Sequence, residues 1–112
     1  MSGSIAYKIL TAEQFRALEE DRFEGAPVDL ADGYVHLSTA DQVAGTLDAH
    51  FAGQTELFLA AVDLDAAGPA VRWEKSRGGA LFPHLYRRLG RDLILASAPV
   101  RRAADGSVLF PA

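Results

Sequence analysis

His36, Glu74 and His84 are the residues whose types and settings best suit chemistry, and they are expected to line one functional cleft. Successive residues of a β-strand face opposite ways. In Tyr34-Val35-His36-Leu37-Ser38, Tyr34, His36 and Ser38 therefore share one side, and Val35 and Leu37 share the other. In Val71-Arg72-Trp73-Glu74-Lys75-Ser76, Arg72, Glu74 and Ser76 share a polar side opposite Val71 and Trp73. If both strands belong to one concave sheet, His36, Ser38, Arg72, Glu74 and Ser76 converge. A histidine beside a carboxylate suits acid–base work, and a carboxylate alone can stabilise a developing cation. The plainer reading is that both polar sides face water, as one side of most antiparallel strands does.

Ser38 and Thr39 stand at a strand-to-helix junction, where hydroxyls and free backbone N–H groups either bind an anion or cap the helix. Gly78-Gly79 allows close approach of backbone to a ligand or makes a plain turn, and Arg77 beside it can meet a phosphate. Pro83 suits the first position of a short helix, with Leu85 and Leu89 four apart and Gly90 as its stop. His84 would then lie in the first turn, aimed at the same ligand or at solvent. Trp73 and Phe82 read as core residues, or as stacking faces for a base. His50 falls on the polar side of a helix and receives no role. A metal held by His36, His84 and Glu74 has no close His-x-x-x-His pair behind it and is not adopted.

The elements that must position these residues follow from hydrophobic periodicity. Residues 5–10 form a strand, and Thr11 with Gln14 has the spacing of a capping box for a helix ending near Asp21 or Arg22. A loop from Phe23 to Asp32 leads to the strand 34–38. Thr39 with Gln42 repeats the capping pattern ahead of a helix carrying Val43, Leu47 and Phe51 and stopped by Gly53. The apolar run 56–63 reads as a central strand covered on both sides. Residues 65–69 turn the chain, 71–76 and 92–100 are further strands, and 107–110 is a last edge strand. Consecutive strands favour antiparallel pairing, hence an α+β fold.

The chain fits one domain, residues 1–112. It has no cysteine, which excludes disulfides and a thiol nucleophile and is compatible with a cytoplasmic location. Residues 1–4 lead into alternating sequence, so no signal peptide is expected. The longest apolar stretch, 57–62, is too short for a membrane span. A net charge of −4 argues against generic nucleic-acid binding. Arg87, Arg88 and Arg91 cluster locally, as do Arg101 and Arg102; solvated faces are the simpler account.

Asp32-Gly33-Tyr34-Val35-His36-Leu37-Ser38-Thr39, followed by Asp41-Gln42-Val43, closely resembles the opening motif of the bacterial domain of unknown function nine-fifty-two family. Val71 to Ser76, Gly78-Gly79 and Leu81-Phe82-Pro83-His84-Leu85-Tyr86 match its second block at the family spacing. That family looks like a compact relative of the ADP-ribosyltransferase fold, whose members bind NAD in a cleft between two small sheets. The resemblance implies small mixed, mostly antiparallel sheets with two main helices and one short one. His36 with Ser38-Thr39 is similar to a His-x-Thr motif that contacts ribose, and Glu74 corresponds best to a glutamate that stabilises an oxocarbenium-like ribose or positions the acceptor. Arg72, Arg77 and His84 would contact phosphate, with Ser76, Gly78 and Gly79 nearby, and Tyr34 and Tyr86 are the candidates for stacking. The implied ligand is nucleotide-like, NAD or an ADP-ribosyl compound, acted on at the ribose C1. NAD would enter as a substrate, and the resemblance points to no particular cofactor. The alternative is a non-catalytic nucleotide-sensing module using the same cleft.

Overall fold

The computed structural model describes residues 4–111, apart from the side chain of Arg77. The chain runs β1 (Ile5–Thr11), α1 (Ala12–Glu19), α2 (Pro27–Asp32), β2 (Val35–His36), α3 (Ala40–His50), β3 (Leu57–Asp63), α4 (Leu64–Ala67), β4 (Val71–Lys75), β5 (Leu81–Leu85) and β6 (Ile94–Pro99). Two antiparallel three-stranded sheets form, ordered β1-β3-β6 and β2-β5-β4. Among the described residues, one backbone bridge links them. Tyr7 N–H donates to the Ser38 carbonyl at 2.7 Å, and Ser38 N–H returns the bond at 2.9 Å. The segment after β2 therefore leaves one sheet and touches the other.

Proline explains where it leaves. Register pairs Val35 with Leu85 and His36 with His84, so Leu37 comes next opposite Pro83. Leu37 N–H donates to the Pro83 carbonyl at 3.2 Å, but Pro83 has no N–H to give back. The ladder loses a rung there, and Ser38 turns to Tyr7.

α1 begins with the expected capping box: Gln14 N–H donates to Thr11 Oγ1 at 3.2 Å, and Thr11 N–H donates to Gln14 Oε1 at 3.0 Å. At α3, Gln42 Oε1 reaches back to Thr39 N–H at 3.0 Å. Two hydrophobic clusters cover the faces of the β1-β3-β6 sheet. Ala6, Leu10 and Val62 pack with α1, Val35, Leu37 and Leu85. Tyr7, Ile9, Leu59 and Ala61 pack with Val43 and Leu47 of α3. β3 is the central strand and nearly all buried, as its apolar run predicts.

Four expectations fail, the first being Trp73 as a core residue, since it is half exposed on β4. Pro83 does not start a helix: residues 81–85 are a strand, and His84 is buried in its middle. The Leu85/Leu89 spacing that imitates a helix comes from one residue in β5 and another in the loop after it, both buried in the same cluster. The segment 23–32 is not all loop, because Pro27 opens the short helix α2 and Gly33 ends it at φ 87°. Residues 107–110 form no strand, only a bridge between Arg102 and Val108. Among the described residues, no helix is long and apolar enough to cross a membrane.

Candidate functional site

β1 and the β2 strand diverge from the Tyr7–Ser38 bridge, and a cavity of about 410 Å³ opens between them beneath the C-terminal half of α3. β1 supplies Lys8 and Thr11, the β2 segment supplies His36 and Ser38, and α3 supplies Thr46 and His50. Phe82 and His84 come from β5, and Ser76 follows β4. All three histidines of the chain line this space. Among the described residues that line it, none is an aspartate or glutamate. The lining itself therefore presents histidine, lysine and hydroxyl groups rather than carboxylates to a ligand.

The carboxylates stand behind the histidines. Asp29 of α2, with a side chain only 2% exposed, is the hub. Its Oδ1 accepts from Lys8 Nζ at 3.1 Å and from His36 N–H at 3.0 Å, and lies 2.8 Å from His36 Nδ1. Its Oδ2 accepts from Ala26 N–H at 2.8 Å and faces Lys8 Nζ at 2.9 Å. Lys8 spends its remaining donor on the His36 carbonyl at 3.1 Å. Burial by itself would push the Asp29 carboxyl up, but the Lys8 ammonium and the bonds from Lys8 and His36 outweigh it and hold the group below the ordinary range.

A depressed folded-state value has a defined consequence. The Asp29 interactions stabilise the fold fully above the unfolded carboxylate value of about 3.9 and are lost as pH falls through the lower folded value. Acid unfolding followed by circular dichroism is expected to steepen below about pH 4. The Lys8→Met/Asp29→Leu double variant should lack that part of the dependence; an identical acid limb in both proteins would contradict the assignment.

His36 has a carboxylate at each nitrogen, Asp29 at Nδ1 and Asp32 Oδ2 at 3.0 Å from Nε2. Carboxylates only accept, so both nitrogens donate at once only in the imidazolium form. His84 differs. Its Nδ1 lies 2.7 Å from Glu74 Oε1, which also accepts from the Tyr86 hydroxyl at 2.8 Å. These two donors hold the Glu74 carboxyl below its ordinary value, and the bond to that carboxylate pushes the Tyr86 phenol up. The Tyr34 ring stacks on His84 at 4.2 Å and 25°, and the His36 ring meets His84 edge-on at 5.4 Å. The Arg72 guanidinium lies 4.9 Å from the centre of the Tyr86 ring.

His36, His84 and Arg72 are register partners across β2-β5-β4, so alternation did place them on one side. Of the residues singled out from sequence, His36, Ser38, Ser76 and His84 line the cavity. Glu74, Tyr86 and Arg72 join the cluster from outside the lining, Glu74 through His84 and Arg72 through Tyr86. Thr39 heads α3. Gly78 and Gly79, at φ 73° and 81°, form the turn between β4 and β5 and are exposed. The Arg77 side chain lies outside the described residues. Among the basic residues read as solvated, Arg87 pairs with Asp92, Arg88 with Asp21, and Arg102 with Asp48.

Asp29, Lys8 and His50 were missed. Pro27 at the first helical position, an acid two residues later and Gly33 at the end were legible signs of α2. A lysine within an otherwise apolar strand was the sign of a buried partner. His50 lies one turn beyond Thr46, which bonds Ser38 Oγ at 3.0 Å. Among the described residues, no group of three or more histidines and carboxylates is placed to hold a metal ion.

Residues 9–97 match the model of a protein family of unknown function, DUF952. The crystal structure of protein CC0527 from Caulobacter crescentus is 43% identical, with 95% of this chain and 94% of that one aligned at a TM-score of 0.83. The solution structure of CC0527 is 45% identical over 93% and 90% of the two chains, at a TM-score of 0.77. No match is found among curated proteins.

Proposed function

The chain belongs to the DUF952 family, and from that premise we propose that its central cavity binds a small nucleotide-like ligand of the NAD or ADP-ribosyl class and acts on it at the ribose C1. The observation that carries this reading is the convergence of all three histidines and Lys8 on one cavity whose described lining has no carboxylate. A volume of about 410 Å³ is near the lower end for small-ligand pockets. It suits a nicotinamide–ribose half or a mononucleotide better than a whole dinucleotide. His36, held at Nδ1 by buried Asp29, would contact the ribose or its phosphate as a donor once the more exposed Asp32 releases Nε2. Phe82, from the apolar part of the lining, would face the base.

One observation favours a non-catalytic module as the second reading. Glu74 does not line the cavity, and its Oε1 is occupied by His84 and Tyr86. A direct role for Glu74 on ribose charge needs that oxygen to be released.

A thermal-shift series against NAD, ADP-ribose, nicotinamide and nucleoside phosphates tests the binding claim. At about 100 times its dissociation constant, a true ligand adds about 2.7 kcal/mol. The shift should appear with a nucleotide and disappear in His36→Ala. No shift with any of the compounds would contradict the reading.

A further inference from the structure

His84 is held from outside the cavity yet opens into it. Its side chain is 3% exposed, stacked under Tyr34, and bonded at Nδ1 to Glu74. An ionised carboxylate only accepts, so Nδ1 carries the hydrogen and the lone pair of the neutral ring sits on Nε2. Among the described residues, no hydrogen bond occupies Nε2. Among the described residues no buried side-chain nitrogen or oxygen lacks a partner, so an unbonded Nε2 is accessible, and the space that His84 lines is the cavity. The Tyr86 hydroxyl on the same Glu74 oxygen, with Arg72 over the Tyr86 ring, fixes the carboxylate in turn. His36 lacks this property, because both of its nitrogens face carboxylates.

We infer that Glu74 and His84 form a proton-accepting dyad, in which His84 Nε2 takes a proton from a water or ligand hydroxyl in the cavity and Glu74 is the positioning residue. The step rests on the cavity being the ligand site. For a pyridinium N-riboside, an O–H bond of water breaks as its proton passes to Nε2, and the oxygen bonds to C1. The C1–N bond breaks with its electron pair leaving on the neutral pyridine. His84, now an imidazolium still bonded to Glu74, later returns its proton to solvent. Products and reactants balance with no other reagent. Glu74 thus acts through His84 without touching the ribose.

The test uses diethyl pyrocarbonate, which acylates an unprotonated ring nitrogen, with site-resolved mass spectrometry on wild type and Glu74→Gln. Imidazole ¹⁵N spectra of both proteins accompany it. The dyad predicts rapid acylation of His84, a proton on Nδ1 in wild type, and at least a tenfold slower reaction with a mixed tautomer in Glu74→Gln. Equal rates and tautomers in the two proteins, or an inert His84 in wild type, would overturn it. Turnover of NAD, read as nicotinamide release, separates this claim from the cavity reading. If NAD is hydrolysed as fast by His84→Gln as by wild type, the dyad fails and the cavity reading stands. If the acylation pattern holds but neither NAD nor ADP-ribose protects His84, the dyad stands and the nucleotide reading fails.

Discussion

Asp29→Ala is expected to lose about 3–5 kcal/mol of stability, because it leaves the Lys8 ammonium buried without a counter-charge. Lys8 and Asp29 side chains are 5% and 2% exposed, so little water reaches either. The same substitution strips acceptors from the backbone N–H groups of Ala26 and His36. A loss of this size should lower the melting temperature by on the order of 10–20 °C. Denaturant titration gives the free energy directly. The Lys8→Met/Asp29→Leu double variant removes both charges and should recover much of the loss, since replacing a buried pair with apolar groups is often close to neutral. A cost below about 1 kcal/mol for Asp29→Ala would mean that Lys8 finds water and that Asp29 is not the hub.

Leu85→Ala is the second large effect, at about 2–5 kcal/mol. Leu85 is fully buried in β5, paired with Val35 on one side and Val71 on the other. It packs with Leu10, Leu37 and Leu89 beneath the strand that carries His84. The cavity left by truncation cannot collapse without moving β2 or β4, so His84 should also lose its fixed position. Denaturant unfolding measures the stability. Loss of the distinct His84 ring signal in the folded variant would show the second effect. A cost under 1 kcal/mol would argue against Leu85 as the residue joining the two sheets.

Much of the fold was legible because its signals are local. The capping box at Thr11, the apolar run at 57–63 and the alternation in 71–76 each depend on a few neighbouring residues and lead to the element expected, whereas the strand expected at 34–38 keeps only Val35–His36. Pro83 misled for a physical reason. Proline is disfavoured within sheets because it lacks an N–H, and here that deficit falls where the ladder already ends. The alternation in residues 81–85 was the better guide: Leu81, Pro83 and Leu85 face one way, and Phe82 and His84 the other. The site was half legible. Strand alternation aligned His36 with Arg72 and Glu74, but the Lys8–Asp29 pair spans 21 residues, and nothing local joins them. His50 joins the cavity only because α3 packs on the β1-β3-β6 sheet beside it, a tertiary fact.

The most direct measurement is a titration of ADP-ribose, and separately NAD, into the protein while the imidazole ring signals are followed by NMR. The chain has only His36, His50 and His84, so assignment is simple. All three rings line the cavity and should shift together over one concentration range. Rings that stay unmoved at millimolar nucleotide, or a shift confined to one of them, would contradict the cavity as the nucleotide site.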